Sequence, residues 1–211
     1  MLNNVLYCFI THQTEVEYDL ISIREMCLYQ SILDYIIVCG GYDNTTFNQQ
    51  TRLLQLKCYD TYEGLPDKIH KLFNFLVKDK EFSQFPFYAK LDRRINLKRN
   101  IDLFVLNSDY CGRTVRVKKD CDGNRTWHIG KCSQNSKWAI KKYEGQFVPW
   151  CDGGDGYVLS HRAASIIAQN PPNLEEEIYE DQYVAQRLLQ YNILPSTIDN
   201  IHKFFQDKDK L

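Results

Sequence analysis

The sequence predicts an α/β fold in which a mostly parallel central sheet carries helices on both faces. Two observations carry that reading. Short continuous apolar runs alternate with helical patterns through the first ninety residues, and polar or charged residues collect directly after those runs. Val5 to Ile10 (VLYCFI) is uninterrupted apolar chain, as expected of a strand buried on both faces. From Glu17 to Leu33, Ile21, Leu28 and Ile32 recur at helical spacing. Tyr35 to Cys39 (YIIVC) predicts a second buried strand, stopped by Gly40-Gly41, and Leu53 to Cys58 a third. Pro66 suits the first turn of a helix whose apolar face is Ile69, Leu72, Phe73 and Leu76. Phe85 to Leu91 predicts a fourth strand. Repeated strand–helix–strand order implies parallel pairing with helical crossovers.

The second half has a different texture. Residues 107 to 150 are rich in Gly, Asn, Asp, Lys and Trp, with short strand signals at Cys111 to Val117 and Trp127 to Ile129. Pro149 to Gly156 reads as loop and Tyr157 to Leu159 as a short strand. Ser160 is placed to cap a helix through Ala164 and Ile167, and a last helix spans about Glu175 to Tyr191. The expected organisation is one domain, with a nucleotide-binding half over 1–106, an acceptor and catalytic half over 107–205, and a flexible charged tail over 206–211.

Composition narrows the class. The 211 residues carry a formal net charge of -1, which argues against a nucleic-acid partner. The basic residues are nevertheless uneven. Lys90, Arg93, Arg94, Lys98 and Arg99 form one cluster suited to a compact anionic ligand. Arg113, Arg116, Lys118 and Lys119 form another, read as a solvated face. The eight cysteines include no C-x-x-C pair, which argues against a zinc site. The N-terminus lacks the pattern of a signal peptide, and no window is long and apolar enough to span a membrane. A reducing, cytoplasmic setting follows as an expectation, and the sequons at Asn44 and Asn124 are then chance matches.

Sheets of this class bind ligands beyond the carboxyl ends of their strands. Those ends hold Thr11-His12, Gly40-Gly41, Asp60 and Asp92-Arg93-Arg94. Asp92 suits a divalent ion or a ribose hydroxyl, and the arginines suit a diphosphate; a surface turn with ion pairs is the plain alternative. Asp181 lies three and seven positions before Val184 and Leu188, so it shares their helix face. There desolvation would raise its pKa towards that of a general base; a carboxylate serving the helix dipole is the alternative, as expected of Glu175, Glu176 and Glu177. Trp150 offers a surface for a sugar ring, beside glycines that allow close backbone approach. His202 is a lone histidine near the C-terminus, more often structural than ligating.

In order and spacing these pieces resemble the β-1,3-glycosyltransferases of family 31, which include galactosyl- and N-acetylglucosaminyltransferases and the Fringe enzymes. Asp60-Thr61-Tyr62-Glu63-Gly64-Leu65-Pro66-Asp67-Lys68 is similar to that family's D-x-Y-x-x-L-x-x-K segment. Lys90 to Ile95 lies where the family has K-x-D-D-D-V. Gly153 to Ser160 resembles G-x-G-Y-V-L-S, and Glu180-Asp181-Gln182-Tyr183-Val184 resembles E-D-V-Y-V-G. The likeness covers about residues 50 to 205, and residue usage suggests a viral or microbial relative.

The resemblance implies a GT-A-type fold and an inverting transfer of a hexose or N-acetylhexosamine from a UDP-sugar to a glycan or glycoprotein acceptor. Asp181 matches the family's base. The donor is expected at Thr11, Asp60, Lys68, Asp92, Arg93, Arg94, Gly153 and Gly154. The acceptor and the transferred sugar are expected at Trp150, Asp152, Asp155 and Glu180. Manganese or magnesium would neutralise the leaving diphosphate, held by Asp92 with His202. The triplet departs from the pattern, because arginine stands where the family's metal-binding aspartate belongs. Either Asp92 takes the ion, or Arg94 supplies the charge itself, or the site is degenerate and the protein binds without turnover.

Overall fold

The computed structural model describes residues 5–101, 108–116, 125–198 and 204–207. The chain begins with β1 (Val5–Ile10), α1 (Val16–Tyr29) and β2 (Tyr35–Cys39). A hairpin of β3 (Thr46–Asn48) and β4 (Leu53–Gln55) follows, then α2 (Leu65–Lys78), β5 (Phe87–Asp92) and β6 (Ile95–Leu97). Next come β7 (Tyr110–Gly112), β8 (Thr114–Val115), β9 (Trp150–Cys151) and β10 (Tyr157–Ser160). The helices α3 (His161–Gln169) and α4 (Glu180–Leu189) precede β11 (Ser196–Thr197) and β12 (Phe205–Asp207).

Among the described residues, eight strands form one sheet in the order β11-β7-β10-β5-β1-β2-β4-β3. β5, β1, β2 and β4 run parallel, as the alternating pattern predicts. β11 is parallel to β7, whereas β10 is antiparallel to both β5 and β7, and β3 to β4. Strands from both halves of the chain therefore share a single sheet. Alternation along each strand divides the core in two. Leu6, Cys8, Ile36, Val38, Leu54 and Tyr88 meet α2, α3 and α4 on one face. Tyr7, Phe9, Ile37, Cys39, Ala89 and Leu91 meet α1 on the other. The α2 face is the one its spacing predicts, with Ile69, Leu72, Phe73 and Leu76 all fully buried. Ser160 caps α3 by accepting from the Ala163 amide at 3.1 Å.

Five expectations need correction. The buried side of α1 is Asp19, Ile23 and Cys27, while Ile21 and Leu28 are 63% and 60% exposed. A carboxylate takes an inward position there because Thr11 and Arg93 bind it. The third strand is only three residues long, paired with an unforeseen antiparallel β3. Residues 125–130 form helical and other turns instead of a strand, and Trp150–Cys151 is a two-residue strand on β8 within the expected loop. Finally, α4 starts at Glu180; Glu177 lies before it, buried and paired with Arg187 at 2.8 Å.

β12 returns antiparallel to β6, so Gln206 and Asp207 pair with Asn96 and Ile95 where a tail was expected. The seven cysteines among the described residues are free thiols; Cys121 lies outside those residues. No helix among the described residues is long and apolar enough to cross a membrane.

Candidate active site

Three pieces of chain meet beyond the carboxyl end of β5. β5 delivers Lys90 inward and Asp92 and Arg94 at its exit. The tight loop between β9 and β10 brings Asp152, Gly153 and Gly154, and the first turn of α4 brings Glu180 and Asp181. They enclose a cavity of about 460 Å³, within the range of small-molecule sites. Tyr62, Arg113, Trp127, Lys131, Phe147, Trp150 and Gln182 complete much of its wall.

The floor is a buried ionic network. The Lys90 ammonium donates to the Gly153 carbonyl at 2.9 Å and lies 3.4 Å from the Glu180 carboxylate. The Tyr157 hydroxyl donates to the same Glu180 oxygen at 2.6 Å. Side chains of both Lys90 and Glu180 are about 95% buried, so each charge depends on the other for compensation. The network ties the central sheet, the glycine loop and the start of α4 together. Two glycines make this approach possible. Gly156 has φ +83°, and a Cβ there would lie 3.0 Å from the Lys90 carbonyl oxygen. A Cβ on Gly153 would lie 2.5 Å from Glu180 Oε2. Because Lys90 and Tyr157 pin that carboxylate, it cannot swing aside cheaply. Gly153→Ala is therefore expected to cost about 1–3 kcal/mol as an overpacked site, seen as a Tm lowered by several degrees. Gly154→Ala, whose Cβ meets only Asp152 Oδ1 at 3.2 Å, is the milder control.

Asp181 is half-buried on the wall above this floor, while Val184 and Leu188 on its face are fully buried. Its Oδ1 accepts from the Gln182 amide at 2.8 Å, and its Oδ2 faces the Gly153 amide at 3.4 Å. Desolvation is the largest influence on the carboxyl, followed by the negative charges of Glu180 and Asp152. The two amide hydrogen bonds pull the other way, and the balance pushes its pKa up to about 7. Such a group accepts a proton readily near neutrality.

The predicted residues divide. Asp92, Arg94, Trp150, Asp152, Gly153, Gly154, Glu180 and Asp181 line the cavity. Thr11, Asp60, Lys68, Arg93 and Asp155 do not. Lys68 is buried, ion-paired to Asp60, and donates to the Thr11 carbonyl at 3.1 Å. Asp60 also accepts from the Gln13 amide at 2.6 Å. Burial alone would raise the Asp60 pKa, but the Lys68 hydrogen bond and charge, with Gln13 and His12, bring it below its ordinary value. Arg93 is bound to Asp19 at 2.6 Å and Glu15 at 2.9 Å, so it braces α1 against the β5 exit. Asp155 and Asp152 share Arg113, which fastens the glycine loop to the chain between β7 and β8. Trp150 is only 8% exposed and packs against Phe147 at 5.9 Å between ring centroids, so its indole is wall more than platform. His202 lies outside the described residues.

The described residues fit a divalent ion poorly; His202, expected to hold it with Asp92, is not among them. Among the described residues, no group of three or more His, Cys, Asp or Glu is placed to hold a metal. Asp92 Oδ1 already accepts from the Arg94 backbone at 3.0 Å and from Arg94 Nε at 3.2 Å, so a guanidinium lies where a second carboxylate would be needed.

Sequence reasoning missed Arg113, Trp127 and Lys131. Its basic neighbours Arg116, Lys118 and Lys119 suggest a solvated face for Arg113, yet it lines the cavity. Trp127 and Lys131 stand four residues apart, a helical spacing obscured by a strand-like composition. The turn that carries them is secured from behind. His128 is fully buried, with Nδ1 2.7 Å from the Tyr179 hydroxyl and Nε2 2.8 Å from the Lys141 carbonyl. Arg125 donates to the carbonyls of Tyr143 and Gly145 at 2.8 and 3.1 Å.

No family model matches the sequence, and no curated protein matches it. Among solved structures, the chain is similar to one described as a glucose-1-phosphate thymidylyltransferase of Bacillus anthracis in complex with sucrose. The TM-score is 0.46 and the identity 12%, over 96% of this chain and 89% of that one. So distant a likeness assigns no activity.

Proposed function

We propose that the protein is an inverting glycosyltransferase of GT-A type that moves a hexose or N-acetylhexosamine from a UDP-sugar to an acceptor hydroxyl. The observation that carries this reading is Asp181, a carboxyl tuned to about 7 on the wall of the cavity that also receives the β5 exit at Asp92–Arg94. The acceptor oxygen bonds to the anomeric carbon while its proton passes to the Asp181 carboxylate. The bond from that carbon to the phosphate oxygen breaks, and its electron pair leaves with the nucleoside diphosphate. Attack opposite the leaving group inverts the anomeric centre. Arg94 supplies positive charge towards the departing phosphates, and no metal-dependent step is required of these residues. Motif order along the chain supports the same assignment.

A second reading is a protein that holds a nucleotide sugar or glycan without turnover. The pairing of Asp92 with Arg94 favours it, because an arginine stands where the family's metal-binding aspartate belongs. Nucleotide sugars screened by thermal shift, then assayed for donor hydrolysis and transfer to glycans with and without manganese, separate the two. Binding with turnover is the expected result. Binding without turnover under any condition supports the second reading, and no binding at all contradicts both.

A further inference from the structure

Four basic side chains line the cavity: Lys90, Arg94, Arg113 and Lys131. Three have carboxylate partners, since Lys90 faces Glu180, Arg94 faces Asp92 and Arg113 faces Asp152 and Asp155. Lys131 has none among the described residues. Its ammonium sits 3.5 Å from the centroid of the Trp127 ring and 5.6 Å from that of Tyr62, and among the described residues no acceptor takes its N–H donors. Trp127 is itself 64% exposed, an arrangement that spends a large aromatic surface on holding one cation in place. The turn beneath is fixed by His128 and Arg125, so the ammonium is presented from a rigid base.

The position of that charge is informative. Partial desolvation and then the nearby charge of Arg94 hold the Lys131 pKa below its ordinary value. Two like charges thus face one cavity, and Lys131 has no counter-ion among the described residues. A compact polyanion placed between them relieves the repulsion and satisfies the donors.

We infer that Lys131, seated on Trp127, acts with Arg94 as a phosphate clamp, so that the diphosphate of the donor is neutralised by two cationic side chains in place of a divalent metal ion. This rests on the donor-binding part of the proposed function and extends it to a residue outside the four motifs. Arg94 stands at the β5 exit with Asp92 holding its Nε. Lys131 reaches the same space from the turn that follows β8. The guanidinium offers a planar fork and the ammonium a point charge, a pairing suited to the two phosphate groups of a nucleoside diphosphate.

The test is calorimetry with two probes, UDP and inorganic pyrophosphate, each in EDTA and in manganese. Pyrophosphate makes the result independent of the nucleobase. Wild-type protein is expected to bind both probes equally well in EDTA and in manganese. Lys131→Met, which keeps the stem and removes the charge, should weaken both by about tenfold or more. Lys131→Arg should recover most of that loss, and both variants should retain the wild-type Tm, since the side chain is exposed. Binding that requires manganese, or Lys131→Met binding as wild type does, overturns the clamp while leaving the glycosyltransferase reading in place. Failure of wild-type protein to bind UDP or pyrophosphate in either buffer overturns the donor-binding reading, and the clamp with it.

Discussion

Asp181→Asn is expected to lower turnover by about 10²–10⁴-fold, the usual contribution of a positioned general base, while affinity for the donor changes little. Asparagine keeps the shape and can still accept from the Gln182 amide, but it cannot take a proton from the acceptor. The wild-type pH profile should show kcat/KM falling as pH drops through about 7, where the raised carboxyl becomes protonated. The acid limb should be absent from the residual activity of Asp181→Asn. Stability should move the opposite way. The folded-state pKa lies above the ordinary value of 3.8, so between those two values the folded protein binds more protons than the unfolded chain. Stability contributed by this group is present at low pH and is lost as pH rises to about 7. Asp181→Asn should therefore raise Tm at neutral pH, with the gain vanishing near pH 4. A variant that loses activity and gains stability has the signature of a functional carboxylate held against its preference. An equal loss of both would identify a structural residue.

The second large effect is expected at Lys90. Lys90→Met leaves the Glu180 carboxylate buried without its cation and the Gly153 carbonyl without its donor. Removing one partner of such a pair costs about 3–5 kcal/mol, which for a chain of this size lowers Tm by about 2–4 °C per kcal/mol. In the double variant Lys90→Met/Glu180→Gln no uncompensated charge is buried, and the Tyr157 hydroxyl can still donate to the amide oxygen. Most of the lost stability should return. Thermal unfolding of the two single variants and the double variant makes this a complete cycle. Strictly additive losses would show that the pair is not coupled and that the floor of the cavity owes its shape to something else.

Much of the fold was legible because β1, β2 and β5 are buried on both faces and their sequences are correspondingly uninterrupted. The inward placement of Asp181 was legible for a similar reason, since Val184 and Leu188 mark the inward face of α4. Elements that depend on partners distant in sequence were not. The inward side of α1 turns on Asp19, whose burial makes sense only once Thr11 and Arg93 are seen to bind it. Hydrophobic spacing chose Ile21 and Leu28 instead. The turn at 125–130 is secured by His128 reaching Tyr179 and Lys141, contacts with no local signature. The β5 exit drew attention to Arg93 and Arg94 equally, yet Arg93 is committed to α1 and only Arg94 lines the cavity. Lys131 carried no signal of its own, because its meaning depends on being set beside Arg94 with rings for partners.

Asp181 is expected to share its cavity with the donor's phosphates. An incoming diphosphate then adds negative charge near the carboxyl and raises its pKa further, so binding near pH 7 draws a proton onto Asp181. Calorimetry of UDP binding in buffers of different ionisation enthalpy measures that proton directly. Because protons exchanged by the nucleotide's own phosphate are common to both proteins, the difference between wild type and Asp181→Asn isolates the carboxyl. Greater net proton uptake by the wild type is the predicted result. Identical proton exchange in the two proteins would place the phosphates elsewhere and contradict the account.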